Sequence, residues 1–348
     1  MALASFFLRL QLPLSFLVII LPAYQGVQWS PASNVLFSGS KSHLMYTDSV
    51  SAGMDRAMQE CKYQFRWDRW NCPEASLLTP RQNTREMSFV HSIVSAGVMY
   101  SLTKNCSEGA FDQCSCDDSH IGDPGGEGWT WGGCSDNVRF GERMSKLFVD
   151  AAEKSQAGDS VMNLHNNEAG RRAVKQTLQR TCKCHGVSGS CSLQTCWNQL
   201  ANFRVVGDQL KKKYLDAIRV DFVSGELIEG NRAEDGVVDD EISASLSKRD
   251  LVFLERSPDY CHPNETIGTE GTAGRECMMS GNGGAAGDGS RWAKKSCTRL
   301  CRGCGLGIKR RQVVVTSSCN CNFVWCCSVK CDTCRRVVTR YSCQRIGR

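Results

Sequence analysis

Twenty-two cysteines in 348 residues constrain this chain more than any other feature. They are even in number, and the first, Cys61, lies far behind an apolar leader. Thiols at this density, in an oxidising compartment, pair with one another, and half of 22 gives eleven bridges. The leader supplies that compartment. Arg9 precedes an apolar run over residues 10–22, with small residues at Ala23 and Gly26, which is the layout of a secretory signal peptide over residues 1–26. The run is shorter than the roughly 20 apolar residues of a membrane-spanning helix, and no later run is long enough either. The mature chain is therefore expected in the extracellular space and matrix, reached through the endoplasmic reticulum. Cys301-x-x-Cys304 and Cys331-x-x-Cys334 have zinc-ribbon spacing, but among so many other cysteines they read as half-cystines, with no metal expected. Asn105-Cys-Ser107 and Asn264-Glu-Thr266 are glycosylation sequons, consistent with secretion.

Hydrophobic periodicity divides the remainder. Phe89, Ile93, Ala96 and Tyr100 form one helical stripe, and Phe140, Met144, Leu147, Phe148 and Ala151 a second. Ala173, Val174, Thr177 and Leu178 form a third, and Phe203, Val206, Leu210, Tyr214 and Ile218 a fourth, with Lys211, Lys212 and Lys213 along its polar side. Such stripes are core surfaces, so residues 27–225 read as an N-terminal helical bundle. A turn-rich excursion at residues 122–128 interrupts it, and Cys116 with Cys134 is placed to close that loop. Acidic residues then accumulate over residues 226–250 with few large apolar groups, which reads as an exposed linker. Residues 251–348 open on the short β-like run Leu251-Val-Phe-Leu254 and hold twelve of the cysteines. Disulfides at roughly 2–4 kcal/mol each must carry the stability of that part. The fold class is α+β and disulfide-rich: a helical bundle with a cystine-stapled hairpin, then a small cystine-knot-like β-hairpin domain.

Two cysteine-enclosed excursions carry the functional signal. The first is Cys182-Lys-Cys-His-Gly-Val-Ser-Gly-Ser-Cys-Ser-Leu-Gln-Thr-Cys196. If Cys184 pairs with Cys191 and Cys182 with Cys196, the bridges nest and hold Ser188 at a rigid tip, its hydroxyl left open by Gly186 and Gly189. The second is Cys319-Asn-Cys-Asn-Phe-Val-Trp-Cys-Cys-Ser-Val-Lys-Cys-Asp-Thr-Cys334. If Cys319–Cys334 and Cys321–Cys331 are rungs, Phe323, Val324 and Trp325 lie at the end of a ribbon with no interior to hide them. The alternative is a tip folded back on the helical domain. Tryptophan at an exposed tip marks a contact site. Cys326–Cys327, if paired, is a vicinal bridge that fixes the turn.

Ser188 near His185 also invites a hydrolase reading. Against it, the elbow pattern Gly-x-Ser-x-Gly is broken by Ser190, no strand is expected before the serine, and no acid lies close by. The chain is read as a non-enzyme. A passive matrix or heparan-sulfate-binding protein without receptor agonism is the other alternative. It accounts for the cationic C-terminal third, which includes Lys309, Arg310, Arg311, Arg335, Arg336 and Arg340. It does not account for two apolar or hydroxyl tips. Nucleic acid is no partner for a secreted chain of net charge +6.

At these residues the chain resembles the Wnt family, over nearly all of the mature sequence. Cys182-Lys-Cys-His-Gly-Val-Ser-Gly-Ser-Cys191 is the most specific motif. Glu60-Cys-Lys-Tyr-Gln-Phe-Arg-Trp-Asp-Arg-Trp-Asn-Cys-Pro73, Trp129-Thr-Trp-Gly-Gly-Cys-Ser-Asp-Asn137 and Phe323-Val-Trp-Cys-Cys327 reinforce it. Arg256-Ser-Pro-Asp-Tyr-Cys261 and Cys304-Gly-Leu-Gly are most similar to the eighth Wnt subfamily. The resemblance implies a secreted, lipid-modified morphogen, a glycoprotein of Wnt/β-catenin signalling. In it Ser188 carries a covalent palmitoleoyl group, the only cofactor-like moiety, added by the acyltransferase Porcupine. The acylated hairpin and the Phe323-Val324-Trp325 tip would both engage the cysteine-rich domain of Frizzled receptors. A low-density-lipoprotein-receptor-related co-receptor, the carrier Wntless, the deacylase Notum and heparan sulfate would be further partners. The resemblance also implies the pairings Cys61–Cys72, Cys106–Cys114, Cys261–Cys304, Cys277–Cys297 and Cys301–Cys343. Many family members have adjacent cysteines where this chain has Cys301-Arg-Gly-Cys304.

Overall fold

The computed structural model describes residues 40–75, 82–153, 157–229, 246–279, 296–325 and 327–346. The expected signal peptide, Cys326 with its vicinal pairing, the glycine-rich stretch at 281–289 and most of the acidic stretch lie outside them.

Five helices build the first part: α1 Ser40–Gln64, α2 Arg85–Ser107, α3 Val138–Val149, α4 Gly158–Gln176 and α5 Phe203–Leu215. Helix α2 is the hub, because small and apolar residues alternate round its whole circumference and it is buried nearly throughout. Gly53 of α1 and Gly97 of α2 cross backbone to backbone, where a Cβ on Gly53 would sit 2.7 Å from the Gly97 carbonyl oxygen. On one side of α2, Phe65, Trp70, Phe89, Ile93, Val206 and Leu210 pack together, and Phe65 meets Trp70 edge-on at 4.7 Å. On the other side Tyr46, Leu102, Phe111, Phe140 and Phe148 form a second cluster.

Three of the periodic readings need adjustment. The fourth stripe ends early: α5 stops at Leu215, and Ile218 begins strand β5 Ile218–Val223. Lys211 lies on no solvated face. Its Nζ is 2.6 Å from Asp68 Oδ2 and 3.3 Å from the Phe65 ring centroid, and burial pulls it down to about 8. The excursion at 122–128 is a small hairpin, β1 Pro124–Gly126 with β2 Trp129–Trp131.

The boundary expected at residue 250 is not a boundary of packing. The stretch read as a linker opens with strand β6 Glu226–Glu229, antiparallel to β5, while β7 Val252–Phe253 joins β5 in parallel. Leu251 and Tyr260 belong to the helical core. The buried Glu86 carboxylate of α2 accepts hydrogen bonds from Tyr214 Oη at 3.0 Å, Ser257 Oγ at 2.7 Å and Tyr260 Oη at 3.0 Å. Buried Asn166 brackets Val252, donating to its carbonyl and accepting from its N–H. A strand too short to stabilise itself is held by side chains of the helices it follows.

The last part consists of β8 Glu276–Cys277, helix α6 Ser296–Leu300 and two long strands, β9 Gly307–Val324 and β10 Ser328–Gln344, in the order β8-β10-β9. Its core is small: Cys277, Cys297, Leu300, Cys301 and Cys343. Arginines fasten it to the helical part. Arg299 donates to Asp68 Oδ1 at 3.2 Å, Arg275 to the carbonyls of Arg69 and Arg66, and Arg69 to the Gly303 carbonyl.

Two stapled hairpins as the candidate functional site

Strand β3 Gln179–Cys184 and strand β4 Gln194–Gln199 flank the serine. A strand therefore does precede Ser188, contrary to the sequence expectation: Cys182 and Cys196 face each other in register and are bonded, which holds the segment extended directly after α4. A second bridge, Cys184–Cys191, closes the loop above. The sheet does not stop there. Strand β2 lies parallel to β4, with Trp129, Thr130 and Trp131 opposite Gln194, Thr195 and Cys196, giving the order β1-β2-β4-β3. The serine hairpin is thus two strands of a four-stranded sheet.

At the tip, Val187–Gly189 makes one 3-10 turn, with Ser188 itself in the left-handed region at φ 56° and ψ 28°. Hydrogen bonds from Gly186 N–H to the Ser190 carbonyl at 2.8 Å and from Ser190 N–H to the Val187 carbonyl at 3.1 Å lock it. A Cβ on Gly186 would strike Ser190 Oγ and its carbonyl, so this position tolerates no side chain. The result is an exposed Ser188 beside Val187, which is 89% exposed. His185 is also exposed, and among the described residues its ring contacts neither Ser188 nor a carboxylate.

The second hairpin is the β9–β10 ribbon. Cys319–Cys334 and Cys321–Cys331 cross it near its end, and Phe323 stands opposite Val329. Beyond them Phe323 is 70% and Trp325 92% exposed, and Val324 is exposed beside them. The tip does not fold back on the helices. The ribbon's base is fixed by Cys301–Cys343, by Cys277–Cys297, whose Cys277 sulfur lies 3.6 Å from that of Cys301, and by Cys261–Cys304. The two residues inserted between Cys301 and Cys304 form a 3-10 turn that sends the two sulfurs to different partners. The remaining bridges are Cys61–Cys72, Cys106–Cys114 and Cys116–Cys134. All four cysteines with zinc-ribbon spacing are therefore half-cystines.

The sequons differ in setting. Asn105 lies in α2 and its Nδ2 donates to Ser49 Oγ at 2.7 Å. Asn264 is exposed, and its Oδ1 accepts from Thr266 N–H and from Thr266 Oγ1. Lys309, Arg310, Arg311, Arg335, Arg336 and Arg340 all lie exposed on the ribbon, Arg340 paired with Glu276. Sequence reasoning missed the buttress under the serine hairpin. Its signal was the alternation Trp129-Thr-Trp131 directly after a glycine-rich turn, which is a strand pattern.

A helical core thus presents one serine-tipped and one tryptophan-tipped cystine hairpin, each ending in exposed side chains. The chain belongs to the Wnt family, whose model matches residues 36–344. It is 53% identical over 328 residues to Protein Wnt-8a of Homo sapiens, covering 93% of this chain and 92% of that protein. It is 55% identical over 325 residues to Protein Wnt-8b of Homo sapiens, covering 92% and 90%. Its fold is similar to a chain in the solved structure of human WLS in complex with WNT8A, with TM-score 0.65 and 48% identity over 89% of this chain and 98% of that one. The chain is accordingly a Wnt signalling ligand. Among the described residues, no helix is long and apolar enough to cross a membrane.

Proposed function

We propose that this ligand is secreted with a palmitoleoyl chain esterified to Ser188 by Porcupine, and that the acylated hairpin and the Phe323-Val324-Trp325 tip grip the cysteine-rich domain of a Frizzled receptor. A low-density-lipoprotein-receptor-related co-receptor joins near residues 226–250 to activate β-catenin signalling. The observation that carries this reading is that two separate, doubly stapled hairpins end in exposed groups, a hydroxyl and an indole. A hydroxyl alone offers a hydrogen bond worth about 1 kcal/mol. An acyl chain buried at about 0.8 kcal/mol per methylene contributes on the order of 10 kcal/mol before ordering costs. The serine is an acceptor of lipid, its Oγ attacking an activated acyl thioester bound by the transferase and releasing the thiol, and not the nucleophile of a hydrolase. Its exposure on a sheet-backed tip leaves the hydroxyl open to the transferase.

The same lipid makes the protein poorly soluble, hence a carrier. Likeness to WNT8A, solved in complex with human WLS, supports Wntless in that role. Notum removes the acyl group, and heparan sulfate meets the cationic ribbon near the producing cell. Glycans sit on Asn264 and Asn105. Peptide mass spectrometry of secreted, active protein tests the reading: Ser188 is expected to carry the acyl mass, and an unmodified Ser188 in fully active material sinks it.

A further inference from the structure

Strand β9 is the outermost strand of its sheet, and among the described residues nothing pairs with its far side from Gly307 to Val324. An open edge presents a row of unpaired N–H and C=O groups, and proteins blunt such edges with charge, proline, a bulge or a cover. Residues 312–318, Gln-Val-Val-Val-Thr-Ser-Ser, carry no charge and no proline. The ladder to β10 is unbroken from Gly307 to Cys319, and the one bulge lies nearer the tip, where Asn320 and Cys321 of β9 stand against Cys331 alone and Asn320 takes φ 47°. Val314 is 61% exposed and its cross-strand partner Val337 63%. Among the described residues, charge, proline, bulge and cover are all absent from 312–318 itself, where β propensity is highest.

We propose that this edge joins two copies of the chain, β9 against β9, antiparallel about a two-fold axis through Val314 and normal to the sheet. Charge permits a second copy and fixes its register. The cations of β9 stand together at one end, Lys309, Arg310 and Arg311, and the strand is neutral from Gln312 to Val324. In the proposed register Val314 meets its own copy, Val313 meets Val315 and Gln312 meets Thr316. Arg311, Arg310 and Lys309 fall opposite Ser317, Ser318 and Cys319, so no like charges oppose. An axis at Arg310 would set that arginine against itself and Lys309 against Arg311, which excludes registers near the base. An isologous contact of this kind is self-complementary and closed, giving a four-stranded sheet in the order β10-β9-β9-β10 and no filament. Strand addition alone buries far less than the roughly 1,600 Å² of a standard interface, so the dimer is weak and reversible. The register also carries each Phe323 alongside the base of the other ribbon, so self-association and use of the aromatic tip compete.

The test is sedimentation of full-length secreted protein across a concentration series, in mild detergent that shields apolar tips and any acyl chain, with backbone hydrogen exchange. The expected result is a concentration-dependent dimer with slowed exchange over residues 312–318. Val314→Lys weakens it at least about tenfold with unchanged thermal unfolding, because two lysines then face each other at an exposed position. Val337→Lys, on the same face but on β10, changes it less than about threefold. Equal loss from both variants means face-to-face packing and overturns the edge pairing. So does a sedimentation coefficient independent of concentration, or slowed exchange at 312–318 that arises only with the Frizzled cysteine-rich domain, which would assign the edge to a partner's strand.

Discussion

The serine hairpin and the aromatic ribbon carry nearly the same staples, yet only the first is flanked by a further strand close to its tip. Their outer bridges close loops of 14 and 15 residues, and their inner ones loops of 7 and 10. Strand β4 nevertheless has neighbours on both sides, β3 and β2, whereas the distal ribbon has only its own two strands. Both hairpins hold non-glycine residues at positive φ, Ser188 at 56° in the first and Asn320 at 47° and Cys327 at 83° in the second, but only the first has a further strand beside it to support that conformation. The ribbon holds exposed rings that need only reach. Orientation is fixed by a sheet in one case and by covalent rungs in the other.

The largest expected effect comes from Ser188→Ala. If the serine hairpin acts through a lipid and the ribbon through its own side chains, this variant lowers affinity for the Frizzled cysteine-rich domain at least about a thousandfold, or about 4 kcal/mol. Its thermal unfolding stays unchanged, because Ser188 is exposed. Titration against the isolated receptor domain measures it. A loss no greater than that from changing Trp325 would erase the division of labour.

Removing the outer bridges tests the structural half of the comparison under matched conditions. Cys182→Ser with Cys196→Ser and Cys319→Ser with Cys334→Ser each open a loop of similar length, for a similar chain-entropy cost of about 3 kcal/mol. Hydrogen exchange is expected to separate them. The serine hairpin keeps protected amides in β4, since β2 and β3 still pair with it, while the ribbon beyond Thr316 exchanges freely. Equal loosening would mean that β2 contributes no support.

These differences mark where sequence reading succeeds and where it stops. The staples, the two tips and the helical stripes are local: they follow from spacings within about fifteen residues, and periodicity or cysteine order exposes them. The parallel pairing of Trp129-Thr130-Trp131 with β4 joins segments more than sixty residues apart, and no local pattern encodes which strand a lone Trp-Thr-Trp will choose. The same is true of Leu251 and Tyr260, which read as the start of a new domain but are claimed by the helical core through Glu86 and Asn166. Lys211 reads as solvated by composition, and is drawn inward only because Asp68 and the Phe65 ring wait there.

A smaller effect is expected at the other tip. Trp325→Ala lowers affinity for the same receptor domain about 10- to 30-fold, or about 1.4–2 kcal/mol, as a single hot-spot ring does. Secretion and unfolding temperature stay unchanged, since the side chain is 92% exposed. Failed secretion would reassign the indole to folding and leave the ribbon without a contact role.

The smallest effect is one of pH, and it divides the helical part from the ribbon. Desolvation pushes the imidazole of His91 on α2 down to about 4, and burial lowers that of His165 on α4 despite its 3.0 Å contact with the Asp250 carbonyl. An unfolded chain protonates histidine near 6.5, so between about 6.5 and 4 the unfolded state binds protons that the folded state refuses. Stability therefore falls as pH falls through that window. The ribbon from Gly307 to Gln344 contains no histidine. The urea midpoint followed by helical circular dichroism is expected to drop between pH 7 and pH 5, and His91→Gln to flatten that drop. Exchange rates in the ribbon, corrected for intrinsic pH dependence, should not move. A ribbon that loosens in step with the helices would show that its base, where Arg299 reaches Asp68, and not its disulfides, sets its stability.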